Sequence, residues 1–219
     1  MNDTPDLSEL DGLIECLLQD TPSLTPEDQH LALRILRALA RGRPVDVTRV
    51  WNSSASNGAL ERLLSCFPST MRQGDDIVAF GGLSLAPTAH RFIVRDTVLY
   101  TWCAWDGLFL PELLGTDALI ESHCPHTSEE IQVSIGADGI RETSPDRVWV
   151  SMVNCSIGTQ DVLDAFCQHV NFLADTGQAT SVDGSLTLSI DEAFELGRRV
   201  NESLFGEALG HTVIGEPGL

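Results

Sequence analysis

At 219 residues the chain has room for one substantial core, or for a small domain joined to a medium one. Its 42% hydrophobic content excludes a disordered tract as the main feature. The net charge of −19, with 7 Arg against 12 acids in residues 1–87 and 6 against 20 in 88–219, leaves no basic patch for nucleic acid in either half.

All 13 cationic side chains are Arg, and Lys is absent. Abundant acid without Lys suits a very salty cytoplasm, because molar salt shortens the Debye length to about 3 Å and screens the self-repulsion of such a surface. Residues 1–20 are acidic and lack the charged-then-apolar layout of a secretory signal, and no uncharged stretch is long and apolar enough for a membrane span. The expectation is a soluble, cytoplasmic, halophilic protein with no membrane and no nucleic-acid partner. Its six cysteines should be mostly reduced, and they form neither a CxxC pair nor a secreted disulfide framework.

In chain order, apolar residues at helical spacing predict a helix over 7–18. A second spans 27–40, with Thr25 as N-cap, Pro26 at the first position and Gly42 beyond its end. A short helix near 47–51 and a third at 58–66 follow, then a hairpin over 71–85. Helices followed by a hairpin resemble a winged helix-turn-helix, so residues 1–87 read as one region and 88–219 as another. In the second, strands are expected within 91–100, at 119–122, 131–135, 147–153 and 170–174. Helices are expected over 101–114, interrupted at Pro111 and closed by Gly115, over 159–168, and from a Ser189/Glu192 capping box to about Phe205. The fold class that follows is α+β, with a winged-helix-like N-terminal region and a mixed, largely antiparallel sheet domain.

The chemistry concentrates in Tyr100-Thr101-Trp102-Cys103-Ala104-Trp105-Asp106 and, 64 residues beyond Cys103, in Phe166-Cys167-Gln168-His169. Positions i and i+3 share a helix face, so the Cys103 sulfur and the Asp106 carboxyl can reach one small substrate. A helix beginning near Thr101 would put Cys103 in its first turn, where the dipole favours thiolate. Apolar neighbours such as Trp102, Trp105 and Phe109 should raise the Asp106 pKa and make it a proton donor near neutral pH. Thiolates are the ligands of choice for soft metals.

These segments resemble organomercurial lyases (the alkylmercury lyase family). The likeness runs from Ala38-Leu39-Ala40-Arg41-Gly42-Arg43-Pro44-Val45 through the Cys103 and Cys167 segments and Ser122-His123-Cys124 to Glu192-Ala193-Phe194-Glu195-Leu196-Gly197. The resemblance implies cleavage of a carbon–mercury bond by protonolysis, giving a hydrocarbon and Hg(II). It implies Cys103 and Cys167 as the catalytic, mercury-binding thiols and Asp106 as the proton shuttle beside the metal. It further implies no cofactor, since mercury is substrate and product. Organomercurial small molecules and low-molecular-weight thiols are the implied partners, with mercuric reductase as a recipient of Hg(II). The N-terminal region would then serve packing and access rather than DNA reading. Some members carry a further Cys where this chain has Gln168.

Plainer readings stand beside these. Cys16 and Cys66 lie on apolar helix faces and read as core, and Cys155 has no evident partner. Cys124 in His123-Cys124-Pro125-His126 does not fit zinc-knuckle spacing and reads as a buried structural thiol. His169 reads as a hydrogen-bonded core histidine before it reads as a tuner of Cys167. Two rival functions remain open: a non-catalytic thiol protein that sequesters heavy metal, and a winged-helix metal-responsive regulator. The regulator would have only Arg62 on its recognition helix, with Arg72 nearby.

Overall fold

A computed structural model describes residues 7–19, 23–46, 57–67, 69–153, 166–175 and 185–210. Helix α1 spans Leu7–Gln19, α2 Pro26–Leu39 and α3 Asn57–Cys66. The expected N-terminus of α2 is present in full. Thr25 accepts from the Asp28 N–H, the Asp28 carboxylate takes the Thr25 N–H and hydroxyl, and Pro26 fills the first position. The short helix expected near 47–51 and most of the one expected over 159–168 fall outside the described residues.

Among the described residues one sheet of nine strands carries β1 (Val45–Asp46), β2 (Met71–Gln73), β3 (Asp76–Phe80), β4 (Leu83–Ser84), β5 (His90–Val94), β6 (Thr97–Thr101), β7 (Ala118–His123), β8 (Glu130–Gly136) and β9 (Gly139–Ser144). Its order is β1-β3-β4-β6-β5-β7-β8-β9, with β2 also on β3. A second sheet, ordered β11-β10-β12, joins β10 (Trp149–Val153), β11 (Phe172–Leu173) and β12 (Ser185–Ser189). Every pairing among the described residues is antiparallel. The architecture is therefore α+β, as expected. The hairpin of the N-terminal region and the strands beyond residue 88 share one sheet, because β4 pairs with β6.

Strands β9 and β12 have no counterpart in the sequence expectations. β9 is half exposed with no buried residue, and mostly polar, so it offers no alternation to read. Helix α4 (Ala104–Leu114) runs through Pro111 instead of breaking there, and Gly115 ends it in the left-handed conformation. Proline forfeits one helical hydrogen bond. Nine residues of this helix, Pro111 included, are buried, so packing outweighs that loss.

The last helix, α5 (Ile190–Phe205), starts at the expected capping box and lies against α4. Gly197 makes the close approach possible, since a Cβ there would come within 2.8 Å of the Phe109 Cβ. Asn201, buried, donates to the Phe109 carbonyl at 3.0 Å and to the Glu112 carboxylate at 2.7 Å. α4 is thus wedged between sheet and helices, with its N-terminus held at the end of β6. Among the described residues no helix is long and apolar enough to cross a membrane.

Candidate active site

Strand β6 lies between β4 and β5, and the chain leaves its end directly into α4. Cys103 is the N-cap of that helix, one position outside the first turn where the sequence placed it. Its N–H donates to the Asp106 carboxylate at 2.8 Å, so the carboxylate reaches back as the acid of a capping box does. The Thr101 hydroxyl donates to the Cys103 carbonyl at 2.9 Å, and the Thr88 hydroxyl to the Thr101 carbonyl at 2.6 Å. The i, i+3 spacing read from the sequence thus appears as an N-cap/N3 pair.

Cys167 comes from the other sheet. It opens a short 3-10 turn, Cys167–His169, just before β11. The Ala104 N–H donates to the Val170 carbonyl at 3.1 Å, which ties the start of α4 to the end of that turn. Phe166 packs on Trp105 with ring centroids 6.1 Å apart, and the Trp105 indole N–H donates to the Ala193 carbonyl at 3.0 Å. The result is a cluster of Cys103, Asp106 and Cys167 whose sulfur and carboxylate atoms all lie within 4.8 Å of one another. It is the one grouping of three or more metal-ligating side chains among the described residues, and its members are 0%, 6% and 5% exposed. Both cysteines are free thiols.

Burial sets the protonation states. It pushes Asp106 up to about 6, against the pull of hydrogen bonds from the Cys103 thiol and from the Cys103 and Trp102 backbone. Burial also pushes the Cys103 thiol well above its usual range, aided by the neighbouring Cys167 and the Asp106 charge. The expectation that the helix dipole would make Cys103 a thiolate is therefore overturned. The one hydrogen bond that favours thiolate, from the Asp106 backbone, is outweighed by desolvation and a nearby carboxylate. At neutral pH the resting pair is a thiol donating to a carboxylate.

Gly82 was read from the sequence only as part of a hairpin turn. It lies in the β3–β4 turn with φ +91°, its carbonyl accepts from the Trp102 N–H at 3.0 Å, and a Cβ there would come within 2.6 Å of the Asp106 Oδ1. It walls the carboxylate. The available signal was the Gly81-Gly82 doublet, which cannot reveal what lies across the sheet.

The remaining sequence candidates separate cleanly. His169 is exposed and not a core histidine, because it ends a surface turn; Gln168 beside it is exposed too. Cys124 is buried, His123 and His126 are exposed, and the three do not gather into a metal site. Cys66 is half-buried, its thiol donating to the Arg62 carbonyl. Cys155 and the Cys16 side chain lie outside the described residues. Among the described residues the buried histidine is His90, whose Nδ1 lies 2.8 Å from the Ser122 hydroxyl and whose ring meets Phe172 edge-on. Burial lowers its pKa to about 4, so it is neutral.

Comparison with known proteins gives the family. The alkylmercury lyase family model (MerB) matches residues 83–202, a span holding Cys103, Asp106 and Cys167. An alkylmercury lyase of Bacillus cereus is 33% identical over 169 residues, 75% of this chain and 77% of that one. One from Streptomyces lividans is 30% identical over 175 residues, 78% and 81% of the two chains. The fold is shared with the crystal structure of the mercury-bound form of MerB2, at TM-score 0.66 and 22% identity over 90% of this chain and 99% of that one. With more than half its length matched by the family model and three quarters aligned to curated relatives, this chain belongs to the alkylmercury lyase family of enzymes.

Proposed function

We propose that the chain cleaves organomercurials, RHgX, by protonolysis at the Cys103–Asp106–Cys167 cluster. The observation that carries this is the 4.8 Å convergence of two buried thiols and one buried carboxyl. As the Cys103 sulfur binds mercury, its proton passes to Asp106 and leaves with the displaced ligand as HX. When the Cys167 sulfur binds in turn, its proton passes to the same carboxylate. Two sulfur donors raise the electron density that mercury shares with carbon. The Hg–C bond then breaks with its electron pair on carbon, which takes the proton from Asp106 and departs as RH. Hg(II) stays on the two thiolates, and the balance is RHgX plus two thiols giving RH, HX and a mercury dithiolate. A carboxyl with pKa about 6 both accepts and returns a proton near neutrality. Holding the three groups together replaces three encounters by one.

Low-molecular-weight thiols would extract Hg(II) for delivery to mercuric reductase in the cytoplasm. The division into an N-terminal region, 1–87, and a catalytic region, 88–219, belongs to the same proposal. The regulator reading is weakened because Arg62, the cation of α3, is engaged by the buried Asp28 carboxylate at 2.9 and 3.2 Å.

Headspace measurement of methane from methylmercury or benzene from phenylmercury tests the proposal. The parent should release hydrocarbon; Asp106→Ala, Cys103→Ser and Cys167→Ser should not; Cys66→Ser should match the parent. A reduced parent that binds the compound intact in molar salt would be a sequestering protein and would end the proposal.

A further inference from the structure

The two thiols of the site are held very unequally. Cys103 caps an eleven-residue helix and is fixed through the Asp106 carboxylate and the Thr101 hydroxyl. Cys167 sits on a three-residue turn, too short to define its own position. The Asn171 side chain holds it by one bond to the Gln168 carbonyl at 3.3 Å, and Ser151, at the middle of β10, grips its far end. Its hydroxyl donates to the His169 carbonyl at 2.8 Å and accepts the Asn171 N–H at 2.9 Å. The backbone ladder adds the Ser151 N–H to the Asn171 carbonyl at 3.0 Å. One hydroxyl, using its single proton and a lone pair, therefore spans Val170 from both sides. Val170 is the residue whose carbonyl takes the Ala104 N–H and whose N–H returns to the Cys167 carbonyl at 3.2 Å.

We propose that Ser151 is the positioning residue of the second thiol, setting the distance at which Cys167 meets a mercury atom already held by Cys103. The inference rests on the protonolysis reading for its consequence in turnover, but not for its consequence in metal binding. A loosened turn leaves Cys103 and Asp106 in place, so mercury is still captured by one sulfur while the second arrives misplaced.

Four proteins test this: the parent, Ser151→Ala, and the pair Ser151→Thr and Ser151→Val, which share a shape and differ by the hydroxyl. Turnover per folded molecule should stay within about twofold of the parent in Ser151→Thr and fall about a hundredfold in Ser151→Ala and Ser151→Val, the scale of a misplacement of about 1 Å. Separately, each protein is loaded with one equivalent of mercuric chloride and challenged with iodoacetamide, the labelled peptides being identified by mass. Cys103 and Cys167 should both be protected in the parent and Ser151→Thr, while in the hydroxyl-free variants Cys167 alone should become reactive. If Ser151→Ala does not fold, the Thr/Val pair carries the comparison. Parent-like turnover and protection in Ser151→Val, or equal losses in folded Thr and Val variants, would overturn the proposal. A parent that protects both thiols yet releases no hydrocarbon would defeat the protonolysis reading alone.

Discussion

In the proposed protonolysis Asp106 has to be two things, a base toward a thiol and an acid toward carbon, and its burial is what would permit both. With a folded pKa of about 6 against an ordinary 3.8, it is mostly ionised at pH 7 and reloads easily. In the free enzyme kcat/KM should therefore fall tenfold per unit as pH drops below about 6, because a protonated Asp106 cannot accept from Cys103; a pH–rate profile measures this. The same shift has a stability consequence of definite sign. A carboxyl whose folded pKa is raised favours the folded state at low pH and loses that contribution as pH rises from about 4 through 6. Asp106→Asn removes the cost of burying the charge while retaining an acceptor for the Cys103 N–H. It should be inactive yet more stable than the parent at pH 8, by up to about 3 kcal/mol, with the gap closing toward pH 4 in urea titrations. A gap independent of pH would mean that the carboxylate is not desolvated as described.

At the level of elements, the site is a meeting of ends: the end of β6, the start of α4, a 3-10 turn and the β3–β4 turn. The last of these separates strain from obstruction. Gly81 and Gly82 both have positive φ, so Ala at either position carries a backbone cost of about 1–3 kcal/mol. Their surroundings differ. A Cβ on Gly81 meets Leu36 at an ordinary 3.6 Å, whereas one on Gly82 collides with the Asp106 carboxyl at 2.6 Å. Both variants should lose thermal stability, Gly82→Ala the more because of the collision, but only Gly82→Ala should lose kcat as well, by about a hundredfold. Equal activities in the two variants would remove Gly82 from the site.

Across the whole molecule, charge is the property that most sets this chain apart. Thirty-two acids and 13 Arg leave −19 to be accommodated on one surface, with no Lys to offset it. Local pairs such as Arg198 with Glu195 at 2.8 Å and Arg199 with Asp11 at 2.7 Å are half-exposed and contribute little individually. Screening should do more. Raising sodium chloride from 0.1 to 2 M is expected to raise the thermal midpoint, and potassium chloride should act equally, since the effect is screening and not site binding. A flat or falling midpoint in calorimetry would count against adaptation of this surface to salt.

The residues alone fixed what depends on neighbours along the chain. Thr25-Pro26 and Ser189/Glu192 announced two helix starts, because a cap is completed by side chains three positions away. The apolar setting of Asp106 announced its raised pKa, because Trp102, Trp105 and Phe109 are close in sequence, Trp105 buried and the other two half-buried. What crosses the molecule stayed invisible. Whether Cys167 would meet Cys103 was decided by two separate sheets, joined at the site by the bond from Ala104 to Val170. Gly82 became a wall, and Ser151 a brace, only when strands distant in sequence were laid side by side. The Cys103 thiol shows why: the chain predicted a helix dipole that would ionise it. The fold instead buried it beside a carboxylate and a second sulfur, which together outweigh half a charge at a helix end.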